Sequence, residues 1–282
     1  MGRVRAGGPA CGARGRRAAA WTLIAAIACG IAAGGLAGCG GGSSSTAPPP
    51  VPVPVLQLSL IETHSLTIPE PSDVTLDDSG TRLWMVGNHP EMVYQIDLQG
   101  NLVKTLTYVG QDLEGVIFDR RDSTLWVAEE NLHRVVHLDL DGNVLLKHDL
   151  GFTTEYNSGL EGICLNDSSR MFVLNEKHPG IFVGLDANLN VAYMDTITFA
   201  RDFSGITWNP QKKCFWIVSD QSQRLFLWNP PNTTIAEFDL PYSKGEGVAF
   251  NPVANRVYVV SDSTNMMYVY QYTPGSTPAG VR

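Results

Sequence analysis

The segment Leu113-Glu114-Gly115-Val116-Ile117-Phe118 carries the pattern from which the architecture of this 282-residue chain follows. It is a short apolar strand that opens on a Glu-Gly pair. A polar turn and a second strand, Leu125-Trp126-Val127-Ala128, come after it. The pattern occurs five times, with the openings Ser72-Asp73-Val74, Glu114-Gly115-Val116, Glu161-Gly162-Ile163, Ser204-Gly205-Ile206 and Glu246-Gly247-Val248.

The apolar residues of successive openings lie 42, 47, 43 and 42 positions apart. A repeat of this length, built from strands and turns without helical periodicity, is typical of β-propeller blades. The last repeat ends after its third strand, and residues 56–66 resemble a fourth strand with no earlier strands of their own. We therefore predict an all-β, five-bladed β-propeller whose ring is closed by the N-terminal strand. Six blades remain the alternative if residues 56–67 form more than one strand.

An aromatic residue occupies the same place in every second strand. Large rings at such positions are expected to pack between neighbouring sheets rather than to form a platform for a ligand. The predicted core aromatics are Trp84, Trp126, Phe172, Trp216 and Tyr258.

The first 38 residues contain five arginines and no acidic residue, and an apolar run rich in Ala and Gly follows the arginines at 18–36. This order is typical of an export signal. The run ends in Leu36-Ala37-Gly38-Cys39, which resembles the bacterial lipobox, so Cys39 is predicted to be acylated. A plain signal peptide with an incidental cysteine and a short membrane anchor are the alternatives.

These features divide the chain into four predicted segments. They are a lipoprotein signal peptide (1–38), a Gly/Ser/Pro-rich tether (39–54), the propeller (55–273) and a disordered tail (274–282). A lipid-anchored protein of the cell envelope, facing the periplasm or the exterior, follows from this division. Of the cysteines, Cys164 and Cys214 lie within the propeller and are predicted to be buried free thiols, with a disulfide between them as the alternative.

Loss of the five signal arginines would leave 15 basic and 28 acidic residues, a net charge of about −13. A surface of this sign disfavours nucleic acid as a partner and favours cations. The predicted partners are the membrane, through the lipid anchor, and an unidentified protein or small molecule.

First strands line the axis of a propeller, so the residue ahead of each Gly position should face one mouth of the channel. These residues are Ser72, Glu114, Glu161, Ser204 and Glu246. Because adjacent strands are antiparallel, the residues that follow the second strands should lie near the same mouth, and they are Asn88, Glu130, Glu176, Asp220 and Asp262.

Several carboxylates in a narrow funnel need a counter-charge or raised pKa values. Oxygen ligands without cysteine or grouped histidine favour Ca²⁺ over Mg²⁺. We predict a calcium site formed by the first set, with the second set as outer or alternative ligands. For both sets, hydrogen bonding of the side chains to backbone amides is the competing interpretation, and it is favoured for the carboxylates of the second set.

The motifs Glu114-Gly115-Val116, Asn175-Glu176-Lys177-His178-Pro179, Val218-Ser219-Asp220-Gln221-Ser222 and Gly245-Glu246-Gly247-Val248 together resemble the SdiA-regulated family of envelope proteins. The resemblance covers residues 55–272. It implies a five-bladed propeller with bound calcium, a distant relation to NHL-repeat propellers and no established reaction. Related calcium-dependent lactonase-type propellers also place a metal ligand ahead of the first-strand Gly. This chain departs from the pattern at Asp73, where Gly is usual.

Three functions are compatible with these features. A binding module that carries calcium is favoured, because no nucleophile and base recur at a fixed spacing. The alternative is a calcium-dependent hydrolase of phosphoesters or lactones, in which His89 or His178 would handle protons. The third is a structural scaffold for a partner protein.

Overall fold

The computed structural model describes residues 55–152, 154 and 158–275, and this part of the chain folds into 20 strands without a helix. The strands form five four-stranded antiparallel sheets. Their bounds along the chain are β1 (Gln57–Ser65), β2 (Pro71–Leu76), β3 (Arg82–Asn88), β4 (Glu91–Asp97), β5 (Leu102–Val109), β6 (Leu113–Asp119), β7 (Thr124–Glu129), β8 (Arg134–Leu138), β9 (Val144–Asp149), β10 (Leu160–Leu165), β11 (Met171–Asn175), β12 (Ile181–Leu185), β13 (Val191–Thr196), β14 (Gly205–Asn209), β15 (Cys214–Ser219), β16 (Arg224–Asn229), β17 (Thr233–Asp239), β18 (Gly245–Asn251), β19 (Arg256–Ser261) and β20 (Met266–Thr273).

The five sheets are the blades of a five-bladed β-propeller. Four of them are formed by consecutive strands, β2 to β5, β6 to β9, β10 to β13 and β14 to β17. The innermost strands β2, β6, β10, β14 and β18 contact one another in a closed ring. The predicted fold class is therefore confirmed, and the six-bladed alternative is wrong because residues 57–65 form a single strand.

Ring closure uses the two ends of the propeller sequence. The fifth sheet has the order β1-β20-β19-β18, so the first strand of the chain is the outer strand of the last blade. β1 pairs antiparallel with β20 from Gln57↔Thr273 to Ser65↔Met266. The predicted closing strand is confirmed.

The hydrophobic core is distributed over the five interfaces between blades. Each buried cluster draws its members from two neighbouring sheets; Trp84, for example, packs with Val116 and Leu125 of the next blade. The five second-strand aromatics are all buried, with 5% or less of their surface exposed. Their predicted core role is confirmed. Cys164 and Cys214 are buried and free, as predicted.

The glycines of the first strands allow these strands to approach one another closely. A Cβ atom on Gly115 would lie 2.4 Å from the carbonyl oxygen of Glu161, and one on Gly205 would lie 2.4 Å from the carbonyl oxygen of Glu246. Real Cβ atoms do not approach so closely, so a side chain here would push the inner strands apart. The Glu-Gly and Ser-Gly pairs therefore set the radius of the ring.

The N-terminal predictions fall on residues outside the described part of the chain. The signal peptide, Cys39 and the tether all lie before residue 55, and only residues 274 and 275 of the predicted tail are described. No helix in the described residues has the length and apolar character needed to cross a membrane.

Candidate functional site

A β-bulge lies at the opening of four first strands. In β6 the pairing with β7 shifts between Leu113 and Gly115, so Glu114 has no partner in the ladder. Similar shifts occur in β2, β10 and β18 at Ser72, Glu161 and Glu246. Bulges redirect side chains out of the regular alternation of a sheet. They place these residues at the entrance of the axial channel.

A recurring backbone hydrogen bond holds the ends of the second strands beside these openings. The amide of Glu130 donates to the carbonyl oxygen of Asp112 at 2.8 Å. Asp112 stands two positions before Glu114. The same bond joins Asn88 to Glu70 (3.0 Å), Glu176 to Gly159 (3.0 Å) and Asp262 to Lys244 (3.2 Å). The two predicted sets of side chains are thereby brought to the same end of the ring.

These side chains surround a funnel-shaped cavity of about 290 Å³, which we call the acidic funnel. Nine of the ten residues that were predicted to lie at this mouth line it: Ser72, Asn88, Glu114, Glu161, Glu176, Ser204, Asp220, Glu246 and Asp262. The tenth, Glu130, does not line the cavity, but it is buried beside Glu161 and Glu176, which do. Sequence position within the repeat thus locates the site.

Carboxylate oxygens form two compact groups within this region. One oxygen from each of Asp112, Glu114 and Glu130 lies within 4.8 Å of the others, and the same holds for Glu130, Glu161 and Glu176. Glu130 therefore belongs to both groups. Glu246 lies outside these triplets, although it is close enough to Glu114 and Glu161 for its charge to raise their pKa values. The assignment of particular residues as metal ligands stays a prediction.

The acidity of these carboxyl groups is strongly reduced. Burial, and then the charges of Glu114 and Glu246, raises the pKa of Glu161 well above its ordinary value. Burial likewise raises the pKa of Glu114 well above that value. Burial and the neighbouring Asp220 raise the pKa of Glu246 to about 7, and burial raises that of Glu130 to about 7. Burial removes water from the ionised carboxylates, and the neighbouring carboxylates repel them, so both effects oppose ionisation at these positions.

Some of the funnel carboxylates accept hydrogen bonds within the protein. Glu114 Oε1 accepts from Asn88 Nδ2 at 2.6 Å. Glu130 Oε1 accepts from the amide of Gly159 at 3.0 Å, and Asp220 Oδ1 accepts from the amide of Lys244 at 2.7 Å. The last two contacts are of the kind expected from carboxylates that satisfy backbone amides near strand ends.

The funnel contains charged residues that the sequence reasoning did not single out. Glu70, Asp202 and Lys244 line it, and each stands two positions ahead of a first-strand opening residue. That shared offset is a signal from which they could have been found. A fourth charged residue that was not singled out, Lys177, also lines the funnel and follows Glu176 directly in the chain. In all, eight carboxyl groups and two lysines line the cavity.

The two lysines pair with carboxylates of the second set. Lys177 Nζ contacts Glu176 Oε1, and Lys244 Nζ lies 2.8 Å from Asp262 Oδ2. Among the described residues, no salt bridge reaches Glu114, Glu161 or Glu246. The three first-strand glutamates therefore have no ion-pair partner among these residues, although the charge of Lys244 lowers the pKa of Glu246.

Neither candidate histidine lines the acidic funnel. His89 reaches its rim through Glu70, whose Oε2 lies 2.5 Å from His89 Nδ1, and the His89 side chain is 78% exposed. His178 is exposed as well. Of the two histidines, only His89 forms a hydrogen bond with a residue that lines the funnel.

The fold and the site define a class: a five-bladed β-propeller whose inner strands present buried carboxylates at one end of the axis. The SdiA-regulated family model matches residues 61–271. The chain belongs to the SdiA-regulated family, and the resemblance drawn from its motifs is confirmed. None of the curated protein sequences is a significant match.

Solved structures with a similar fold include enzymes. Glutaminyl cyclase from Myxococcus xanthus superimposes with a TM-score of 0.60 at 10% identity, over 77% of this chain and 97% of that one. A luciferin-regenerating enzyme has a TM-score of 0.51 at 14% identity, over 81% and 97%. At such identities the similarity establishes the propeller fold alone.

Proposed function

We propose that this protein is a lipid-anchored, calcium-binding propeller of the bacterial cell envelope that acts as a binding module. Calcium would be held by Glu114, Glu161 and Glu246, with Ser72 and Ser204 as further oxygen donors. The observation that carries the proposal is the convergence of three glutamates on one funnel without a salt bridge from any described residue, and burial raises the pKa of each. A bound cation would lower these pKa values, because it stabilises the ionised form of the carboxyl groups.

The donor set fits a hard cation. Every candidate ligand offers oxygen, and Ca²⁺ accepts six to eight oxygens in flexible geometry. Glu130 supplements the set, since its carboxylate lies within 4.8 Å of both Glu114 and Glu161. The two lysines do not substitute for the cation, because their salt bridges go to Glu176 and Asp262.

Calcium binding is tested by calorimetric titration and thermal melting of the full-length protein after chelation. Calcium at a hundredfold excess over its dissociation constant should stabilise the fold by about 2.7 kcal/mol. The Glu161→Gln variant should lose most of this stabilisation. Without calcium, the same variant should be as stable as the unmodified protein or more so, because the substitution relieves carboxylate repulsion.

Glu237→Gln is the matched control, since Glu237 is exposed on the outer strand β17 and pairs with Arg224. It should leave calcium binding unchanged. If the glutamates instead only satisfy hydrogen bonds, the unmodified protein shows no calcium effect and Glu161→Gln is destabilised with or without metal. A chelated protein that takes up no calcium in the titration would refute the proposal.

The hydrolase alternative is favoured by one contact, the His89–Glu70 pair at the funnel rim. A carboxylate that orients an imidazole is a common arrangement for a general base. Calcium-dependent hydrolysis of 4-nitrophenyl phosphate or of γ-butyrolactone, lost in His89→Gln with calcium affinity retained, would establish this alternative. Absence of turnover with both substrates favours the binding module.

A further inference from the structure

A second cavity lies at the opposite end of the propeller axis. The inner strands begin at the acidic funnel, and their far ends enclose a space of about 260 Å³. All five blades contribute to its wall, through Thr75, Ile117, Leu165, Trp208 and Phe250. We call it the distal cavity. None of the residues that line the acidic funnel lines it.

Eight of the 16 residues that line the distal cavity are apolar, and the other eight are polar or charged. Ile117, Leu165 and Trp208 are only half-buried, although they lie on inner strands. The Trp208 ring is held against Phe215 in an edge-to-face contact, with the ring centroids 4.9 Å apart. A dry cavity of about 150 Å³ is enough to take up benzene, so the distal cavity has room for one ring and a short substituent.

One cation at the edge of this cavity, the exposed Arg120, has no ion pair among the described residues. Arg120 and Arg121 both line it, but Arg121 is bound by the buried carboxylate of Asp119, with Nε 2.9 Å from Oδ1. Arg120 makes no hydrogen bond or ion pair with any residue in the described part of the chain. Asp167, the other acidic residue on the wall, pairs with Lys213 at 2.5 Å.

The fold does not require an arginine at position 120. In each blade an Asp or Asn is the last residue of the first strand or follows it directly, and the next residue lies in the turn. In chain order these turn residues are Asp78, Arg120, Asp167, Pro210 and Pro252. Arg120 is the only cation among them, so the repeat accounts for the turn but not for the charge.

We propose that the distal cavity binds a small organic anion, a carboxylate on a single ring or a short branched chain. Arg120 would hold the carboxylate, since the guanidinium fork matches the two oxygens of a carboxyl group. The apolar body would lie against Ile117, Leu165 and Trp208. Small-molecule sites commonly combine apolar surface with polar groups that fix the orientation of the ligand.

Phenylacetate and its neutral counterpart phenylacetamide test the proposal, by calorimetric titration and saturation-transfer NMR on the full-length protein. Phenylacetate should bind, and phenylacetamide should bind at least about tenfold more weakly because it lacks the charge. Arg120→Gln should weaken phenylacetate binding by at least about tenfold. Thr207→Phe, which places a ring in the cavity, should abolish it.

Arg224→Gln is the matched control: Arg224 is part-exposed and pairs with Glu237 and Asp239, away from the cavity. It should bind phenylacetate as the unmodified protein does. Calcium titration of the Arg120 and Thr207 variants should be unchanged, so the outcome is separate from that of the calcium proposal. No binding of phenylacetate at millimolar concentration, equal binding of phenylacetamide, or full affinity in Arg120→Gln would each overturn the distal site.

Discussion

Asp73 takes the place of glycine in the first blade. The side chain is 1% exposed, and its Oδ2 accepts a hydrogen bond of 2.9 Å from the amide of Val116 on the neighbouring inner strand. Burial raises its pKa well above the ordinary value, while the backbone hydrogen bonds oppose that rise. An inner strand has a free edge towards the axis, so its amides need partners from outside their own sheet. The carboxyl group of Asp73 provides one.

Asp73→Ala is therefore expected to destabilise the propeller by about 1–3 kcal/mol, because the buried amide of Val116 loses its acceptor. Urea unfolding at neutral pH measures this difference. The control is Asp78→Ala in the same blade, an exposed residue whose removal should change stability by less than about 0.5 kcal/mol. Equal midpoints for the two variants would contradict the bridging role.

At the scale of elements, β1 completes a blade that the rest of the chain leaves open. It covers the edge of β20 along eight paired positions. Without it, the last blade would expose an unpaired edge and part of the cluster between the fourth and fifth blades, to which Leu56 and Leu58 contribute.

Deletion through Thr67 is expected to lower the melting temperature far more than deletion through Pro54, since only the longer deletion removes β1. Differential scanning calorimetry of the two truncated proteins makes the comparison. A synthetic peptide of residues 55–67 should restore part of the lost stability by adding back the strand. Identical melting temperatures for the two truncations would contradict closure by β1.

At the scale of the whole molecule, the two ends of the axis differ in charge. The acidic funnel carries eight carboxyl groups against two lysines, whereas two carboxyl groups and two arginines line the distal cavity, and Arg120 has no ion pair among the described residues. Under the two proposals, the two ends of one ring would bind ligands of opposite charge. The tether predicted at 39–54 would hold this ring near a membrane while leaving it free to turn.

Membrane attachment is predicted to depend on Cys39 alone. Cys39→Ser should move the protein from the membrane fraction to the soluble fraction, or block its maturation, because the acyl chains are lost while the propeller is untouched. Cell fractionation and gel mobility measure the effect. Cys214→Ser serves as the control, since Cys214 is buried within the propeller. Unchanged fractionation and mobility of Cys39→Ser would contradict lipidation.

The blade number, the closing strand, the aromatic core and the end of the ring at which the acidic residues meet were all predictable from the sequence. Repetition makes this possible, because a residue at the same place in each repeat takes the same place around one axis. The same reasoning did not single out Glu70, Asp202, Lys177 and Lys244, which line the funnel in the folded chain.

The sequence by itself determined the ring and the positions of Glu114, Glu161 and Glu246 at its mouth. Only the tertiary structure decided which charges compensate one another: Lys177 and Lys244 pair with the second set of carboxylates, and Glu130 joins two groups. It also decided that Asp119 binds Arg121, whereas Arg120 has no partner among the described residues. The physical reason is that electrostatic energy depends on distances of a few ångströms and on burial. Bulges and turns set both of these, and the pattern of strand pairing alone does not.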